Sequence, residues 1–168
     1  MIKDAIDKRK TENTELRCNI DNILNDGKDF LVKHLEELEI CDYRYTISIA
    51  VEELDLDKYL VHQLIEDYII QILKSKITFY KHIKDLKQAE LNGMEPDYEE
   101  LRNLAHKNLG VARNLRIEDA QKLLTIIMKN DDLDYLRICV KALEVSAFRL
   151  IPLCAYETLN LIKVKNSL

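Results

Sequence analysis

The sequence has few of the residues that turn a chain. Its 168 residues include three glycines, two prolines and no tryptophan. Few positions therefore suit the tight turns of β-hairpins, whereas Leu, Ile, Lys and Glu are abundant. This composition favours an all-α protein in which helices pack on helices. At this length we expect one domain with some additional elements.

Other absences exclude whole classes of function. No apolar run is long enough to span a bilayer, and the opening MIKDAIDKRK lacks the apolar core of a signal peptide. We therefore expect a cytoplasmic protein without a membrane partner. The formal charge of −5 argues against nucleic acid as a partner. There is no glycine-rich phosphate loop, so the chain should not bind ATP or act as a kinase.

Neither metals nor disulfides are expected. The cysteines are widely spaced and include no C-x-x-C pair, which fits a reducing cytoplasm. No histidine has glutamate three residues before it, so the Glu-x-x-His signature of di-iron helical bundles is absent. We expect the protein to need no cofactor of its own. The four cysteines are Cys18, Cys41, Cys139 and Cys154.

The chain divides into two parts at about residue 45. Residues 1–45 have scattered apolar positions and predict an N-terminal helical extension, with a turn at Asp26-Gly27. The segment CDYRYT then predicts a connector. Residues 46–168 have clearer helical periodicity and form the second predicted unit.

Four substantial helices are predicted between residues 58 and 150. The first is capped by Asp55 or Asp57 and ends at Asn92-Gly93, where glycine suits a helix stop. The second spans about residues 97–115, with Pro96 in its first turn. A third follows, and Asn130-Asp131-Asp132 separates it from the fourth. An up-down four-helix bundle buries one apolar stripe from each helix. A short C-terminal helix, about residues 153–164, completes this second unit.

The second of these helices contains an unusual pair, His106 and Gly110, one turn apart. On a helical wheel Glu99, Arg102, Gly110 and Arg113 lie within roughly 40° of His106. The opposite face is rich in leucine and should be buried, so His106 should point to solvent. Glycine in a helix interior costs about 1 kcal/mol relative to alanine. Because glycine has no side chain to cover the neighbouring ring, we expect that it leaves His106 accessible to a large partner.

An accessible imidazole suits phosphoryl transfer. Neutral imidazole is nucleophilic near neutral pH and needs no base to deprotonate it. In-line transfer depends mainly on positioning and on positive charge near the phosphoryl oxygens. The nearby cations are Arg102, Lys107 and Arg113.

The run LRNLAHKNLGVARNLRIEDAQKLL resembles the phosphorylatable helix, and the helix after it, of histidine-containing phosphotransfer (HPt) domains. The resemblance extends back through IAVEELDLDKYLVHQLIEDYIIQILKSKITFYKHIKDL and covers about residues 47–150. It implies a four-helix bundle that carries phosphoryl groups between receiver-domain aspartates, with His106 as phosphoacceptor. The implied partners are a response-regulator receiver domain, a hybrid histidine kinase, or both. Mg²⁺ would belong to the receiver, and the chain would be a carrier rather than an enzyme.

Four positions differ from the family pattern, one of them Asn108, which stands where the family usually has an apolar residue. Leu109 stands where the family usually has lysine, Arg113 replaces a small residue, and Arg116 replaces a glycine. Without the lysine, Lys107 or Arg113 would have to support the phosphoryl group. The alternative function is a degenerate HPt-like module that docks a receiver or kinase without being phosphorylated.

A third hypothesis is a structural helical assembly protein, based on the apolar ends FLVKHLEEL and RLIPLCAYETLNLI. These ends are expected to pack together beside the bundle or across a homodimer.

The remaining polar residues of interest have simpler explanations. We interpret His34, His62 and His82 as partly exposed helix residues. Lys76 interrupts an apolar seam and should extend its amine to solvent. Asn108 lies on the inner face and is expected to fix helix register rather than to catalyse.

Overall fold

The computed structural model describes residues 1–167, and within them it contains only helices and connecting segments. No helix among them combines the length and apolarity needed to cross a bilayer. A short 3₁₀ segment, Glu36–Leu38, follows the first helix. The seven α-helices are α1 (Ile2–Leu35), α2 (Ile47–Leu54), α3 (Lys58–Leu91), α4 (Glu99–Asn114), α5 (Glu118–Lys129), α6 (Leu133–Leu150) and α7 (Pro152–Ser167).

Helix α6 lies at the centre of the fold. Helices α3, α4, α5 and α6 form a closed ring of contacts, in which α3 and α5 each touch both α4 and α6. On its other side α6 also packs against α1 and α7, and α7 reaches α3 as well. Ten of the eighteen residues of α6 are buried, as expected for a helix surrounded by neighbours. Helix α2 packs on α3.

The predicted seam of α3 is confirmed. The residue that interrupts it, Lys76, is half-buried and forms an ion pair with Glu144 of α6, so its amine has a carboxylate partner. The other seam residues are buried: Ile65, Ile69, Ile72, Phe79, Ile83 and Leu86.

Capping side chains mark the start of α3 and of α6, and a glycine follows the end of α3. The Asp57 carboxylate accepts a hydrogen bond from the Leu60 N–H at 2.9 Å and caps α3. Beyond the end of α3, Gly93 has a φ of 69°, a conformation that glycine adopts without strain. Asp132 caps α6 by accepting from two backbone N–H groups. Helix α4 begins at Glu99, so Pro96 precedes the helix rather than lying in its first turn.

The turn predicted at Asp26-Gly27 is wrong, because α1 runs unbroken through it. Gly27 is buried against α6. A Cβ atom at this position would lie 2.9 Å from Cγ1 of Val145. Gly27 therefore allows two helices to approach closely, rather than allowing the chain to turn.

The predicted N-terminal extension shares the core of the other helices. Leu31, Leu35 and Ile40 belong to the same buried cluster as the α3 and α6 residues. Helix α1 also contacts α7, where Asn19 Nδ2 donates to the Tyr156 hydroxyl at 3.4 Å. Before that point α1 projects from the fold, since residues 1–22 are exposed except for two half-buried side chains.

Candidate functional site

Helix α4 carries the candidate site between α3 and α5. Four small or aliphatic side chains, Leu101, Ala105, Leu109 and Ala112, are buried on its inner face. Their i, i+4 and i+3 spacing explains why this face packs and the opposite face meets solvent. The outer face carries the histidine–glycine pair predicted from the sequence.

His106 is exposed and has no hydrogen-bond or ion-pair partner among the described residues. The other three histidines each have a partner. The ring of His34 lies 4.7 Å from that of Phe30. The Nδ1 atom of His62 lies 2.9 Å from a carboxylate oxygen of Glu66, and that of His82 lies 3.5 Å from Glu100. Among the described residues, His106 is thus the histidine that is both exposed and without a partner.

Gly110 is exposed, and packing does not require a glycine there. A Cβ atom built at this position would meet no heavy atom within 4 Å. The space beside His106 is therefore open solvent, in contrast to the tight contact at Gly27. An alanine would fit and would favour the helix, so the glycine is not explained by the fold.

Two of the three predicted cations are unengaged. The side chains of Lys107 and Arg113 are exposed and have no partner among the described residues. Lys107 lines a shallow cleft between α3 and α4, together with Lys74 and Gln71 of α3. Lys107 and Arg113 can therefore move toward an anion at His106 without breaking an ion pair or a hydrogen bond.

The third cation, Arg102, is engaged elsewhere. Its guanidinium forms an ion pair with Asp131, in the turn between α5 and α6, and lies 5.0 Å from the ring centroid of Tyr98. The Tyr98 hydroxyl donates to the Asp131 carbonyl at 3.1 Å. Burial raises the pKa of Tyr98, which keeps this donor protonated. Arg102 therefore fastens the start of α4 to the adjacent turn.

Leu109 does not belong to the candidate site. Only 2% of its surface is exposed, so it packs in the core and cannot contact a group on His106. Leu109, which stands where the family pattern would place a supporting lysine, therefore supports neither a phosphoryl group nor a docked partner. The position three residues after the histidine faces inward, where an aliphatic side chain is the stable choice.

The structural role predicted for Asn108 is confirmed. Its Nδ2 group donates to Ser75 Oγ at 3.2 Å and to the Leu104 carbonyl at 2.9 Å, and its Oδ1 accepts from Gln71 Nε2 at 3.0 Å. Gln71 and Ser75 were not singled out from the sequence. Their separation by four residues, which places both on one face of α3, was the available signal.

The described residues contain no group of three or more His, Cys, Asp or Glu side chains placed to hold a metal ion. No family model, curated protein or solved structure matches the chain. The function therefore has to be argued from the site alone.

Proposed function

We propose that the protein is a cytoplasmic histidine phosphotransfer protein of a two-component phosphorelay, with His106 as phosphoacceptor. The observation that carries the proposal is the exposed, partnerless imidazole of His106 beside the open space at Gly110. The contact ring of α3, α4, α5 and α6 is compatible with the up-down four-helix bundle of HPt domains. In this proposal the chain is a phosphoryl carrier and not an enzyme.

The proposed transfer needs only a nucleophile on this chain. The unprotonated ring nitrogen of His106 attacks the phosphorus of an aspartyl phosphate on a receiver domain. The N–P bond forms as the P–O bond to the aspartate breaks, and the aspartate leaves as a carboxylate. The other ring nitrogen keeps its proton, so no general base is required. Reversal of these steps passes the group to a second receiver.

Surrounding residues would assist by charge and by access. Lys107 and Arg113 would approach the phosphoryl oxygens, whose negative charge they would partly neutralise. Gly110 would leave room for the receiver surface to reach the ring. Mg²⁺ would be held by the acidic site of the receiver.

A labelled receiver domain tests the proposal directly. A receiver carrying labelled aspartyl phosphate is mixed with this protein and Mg²⁺, and label on this chain is measured over time. We expect the wild type to take up label and His106→Gln to take up none. His62→Gln, which changes another exposed helical histidine, should behave like the wild type. Equal labelling of His106→Gln and wild type would disprove the proposal.

The second candidate is a degenerate HPt-like module that docks a receiver or kinase without being phosphorylated. Leu109 is buried and Arg102 is paired with Asp131, so of the three predicted cations only Lys107 and Arg113 have no partner among the described residues. This candidate predicts that a receiver binds with the same affinity to wild type and His106→Ala, and that neither accepts label. Binding with labelling of the wild type alone would reject it in favour of the relay.

A further inference from the structure

A cavity beside α6 is lined mainly by polar and charged side chains. It has a volume of about 510 Å³ and lies where α1, the connector of residues 39–46, the end of α6 and the start of α7 meet. This volume is within the usual range of small-molecule sites, about 300–1,000 Å³. Its lining includes three cationic side chains, Lys28, Arg44 and Arg149, and one carboxylate, Asp42. An excess of positive charge here contrasts with the net charge of −5 of the whole chain.

The cavity walls are fixed by hydrogen bonds. The guanidinium of Arg149 donates to the carbonyls of Ile40 and Cys41 at 2.8 and 2.5 Å, which anchors the connector to α6. Lys28 of α1 lies 3.1 Å from a carboxylate oxygen of Asp42, on the opposite wall. A wall held in this way loses little conformational entropy when a ligand binds.

Two tyrosines hold the connector from its other side. The Tyr45 hydroxyl donates to the Leu115 carbonyl at 2.6 Å, and the Tyr43 hydroxyl accepts from the Glu118 N–H at 3.1 Å. Both hydroxyls are thereby directed to the turn between α4 and α5. Burial raises the pKa of Tyr45 to about 12, so these phenols stay neutral and add no negative charge to the cavity wall.

Of the three cations that line the cavity, Arg44 is the one whose side chain forms no hydrogen bond or ion pair with the described residues. It lies between the two tyrosines, and its side chain is exposed. Arg149 still has N–H donors beyond the two in use, because a guanidinium carries five. The first turn of α7 begins at Pro152 on the same wall and adds the positive end of a helix dipole.

We infer that this cavity binds a small polyanion, a molecule carrying two or more phosphate or carboxylate groups, through Arg44, Arg149 and Lys28. Charge-assisted hydrogen bonds from arginine to such groups are short and strong. A polyanion in the cavity would join α1, the connector and α6 through its contacts. The inference is independent of phosphotransfer at His106.

Calorimetric titration with sodium pyrophosphate and, separately, with citrate tests the inference at constant ionic strength. We expect saturable binding of at least one of them to the wild-type chain. Pyrophosphate binding alone would identify a phosphate ligand, and citrate binding alone a carboxylate ligand. The absence of saturable binding of both up to about 10 mM would overturn the inference.

Two matched variants locate the binding site. Arg44→Gln removes one exposed, unpaired cation from the cavity and should weaken binding about tenfold or more. Arg17→Gln removes the same charge from the projecting part of α1 and should leave affinity unchanged. Equal weakening in both variants would show that only general charge attraction is measured, and would overturn the inference. The thermal midpoint of each variant without ligand confirms that both are folded.

Discussion

Gly27 of α1 and Val145 of α6 are in such close contact that a single added carbon would not fit between them. The missing Cβ of Gly27 would lie 2.9 Å from Cγ1 and 3.2 Å from Cγ2 of Val145. Valine in a helix has one strongly preferred rotamer, so its methyl groups cannot turn away freely. This contact anchors the second half of α1 on the central helix.

Gly27→Ala should therefore destabilise the protein. Overpacking costs about 1–3 kcal/mol, and the better helix propensity of alanine returns about 1 kcal/mol. We expect a net loss of about 1 kcal/mol in the free energy of unfolding, measured with urea. In the double variant with Val145→Ala, the loss should be smaller than the sum of the two single losses. An additive result would mean that the contact does not limit packing.

The same substitution at Gly110 should have the opposite effect. A Cβ atom there meets nothing within 4 Å, so alanine adds helix propensity without a clash. We expect Gly110→Ala to raise the free energy of unfolding by about 1 kcal/mol in urea titrations. A loss of stability would reveal an unrecognised constraint at this position.

A larger side chain at Gly110 tests access to His106. Gly110→Gln introduces a good helix former, so the helix should stay intact while the new side chain fills part of the open space beside the ring. In the receiver-labelling assay we expect transfer to slow by about tenfold or more, because small displacements of reacting groups are costly. Asn114→Gln, on the exposed last turn of α4, is the control and should transfer at the wild-type rate. Unchanged transfer in Gly110→Gln would show that the receiver does not approach over this position.

Local patterns account for what the sequence predicted well. Both Asp57 and Gly93 act at the helix ends as expected. The exposure of His106 follows from the 3.6-residue period of its leucine-rich neighbours. Each of these features depends on residues within one or two turns.

Features that depend on another helix were missed. Asp-Gly is a turn signal by itself, and only the presence of Val145 opposite makes Gly27 a packing residue. The engagement of Arg102 depends on Asp131, in a turn whose position is set by the packing of α5 and α6. The burial of Leu109 does not follow from the helical wheel, which places it about 60° from His106; it depends on how α3 and α5 pack against α4.

The projecting half of α1 motivates a prediction about assembly. Ile2, Ile6, Leu16 and Ile20 fall within roughly 40° of one line on the helix, which also includes the polar Arg9 and Asn13 and continues into the buried Leu31. Because an isolated helix of this length is marginal in water, we expect a homodimer through the terminal helices. Light scattering after size-exclusion chromatography should give twice the monomer mass.

A matched pair of variants tests the surface used. Ile6→Glu places a charge on the apolar line and should produce monomers. Thr11→Glu places it on the opposite, exposed side and should leave the dimer intact. A monomer at high concentration for the wild type would contradict the prediction, and amide exchange in residues 3–20 should then be much faster than in residues 23–35.

The buried carboxyl group of Asp119 should make stability depend on pH. Asp119 lies in the first turn of α5 and is only 3% exposed. Burial raises its pKa above the ordinary value of 3.8, and the hydrogen bond from the Ala120 N–H together with the charge of Arg149 only partly opposes this. The folded state therefore holds this proton at pH values where the unfolded state has lost it.

Between the ordinary pKa of aspartate and the raised pKa of Asp119, the folded state binds more protons than the unfolded state. The free energy of unfolding should therefore fall as pH rises through this interval. Asp119→Asn keeps the shape and an acceptor for the Ala120 N–H but cannot ionise. We expect it to be more stable than wild type near pH 7, with a difference that shrinks toward about pH 4. Urea unfolding across this range measures the difference, and contributions from other carboxylates cancel in it. Asp21→Asn, on the exposed part of α1, should show no such trend. A difference that stays constant with pH would show that the carboxyl of Asp119 titrates alike in both states, and one that grows on acidification would show that folding lowers its pKa; either result would contradict the prediction.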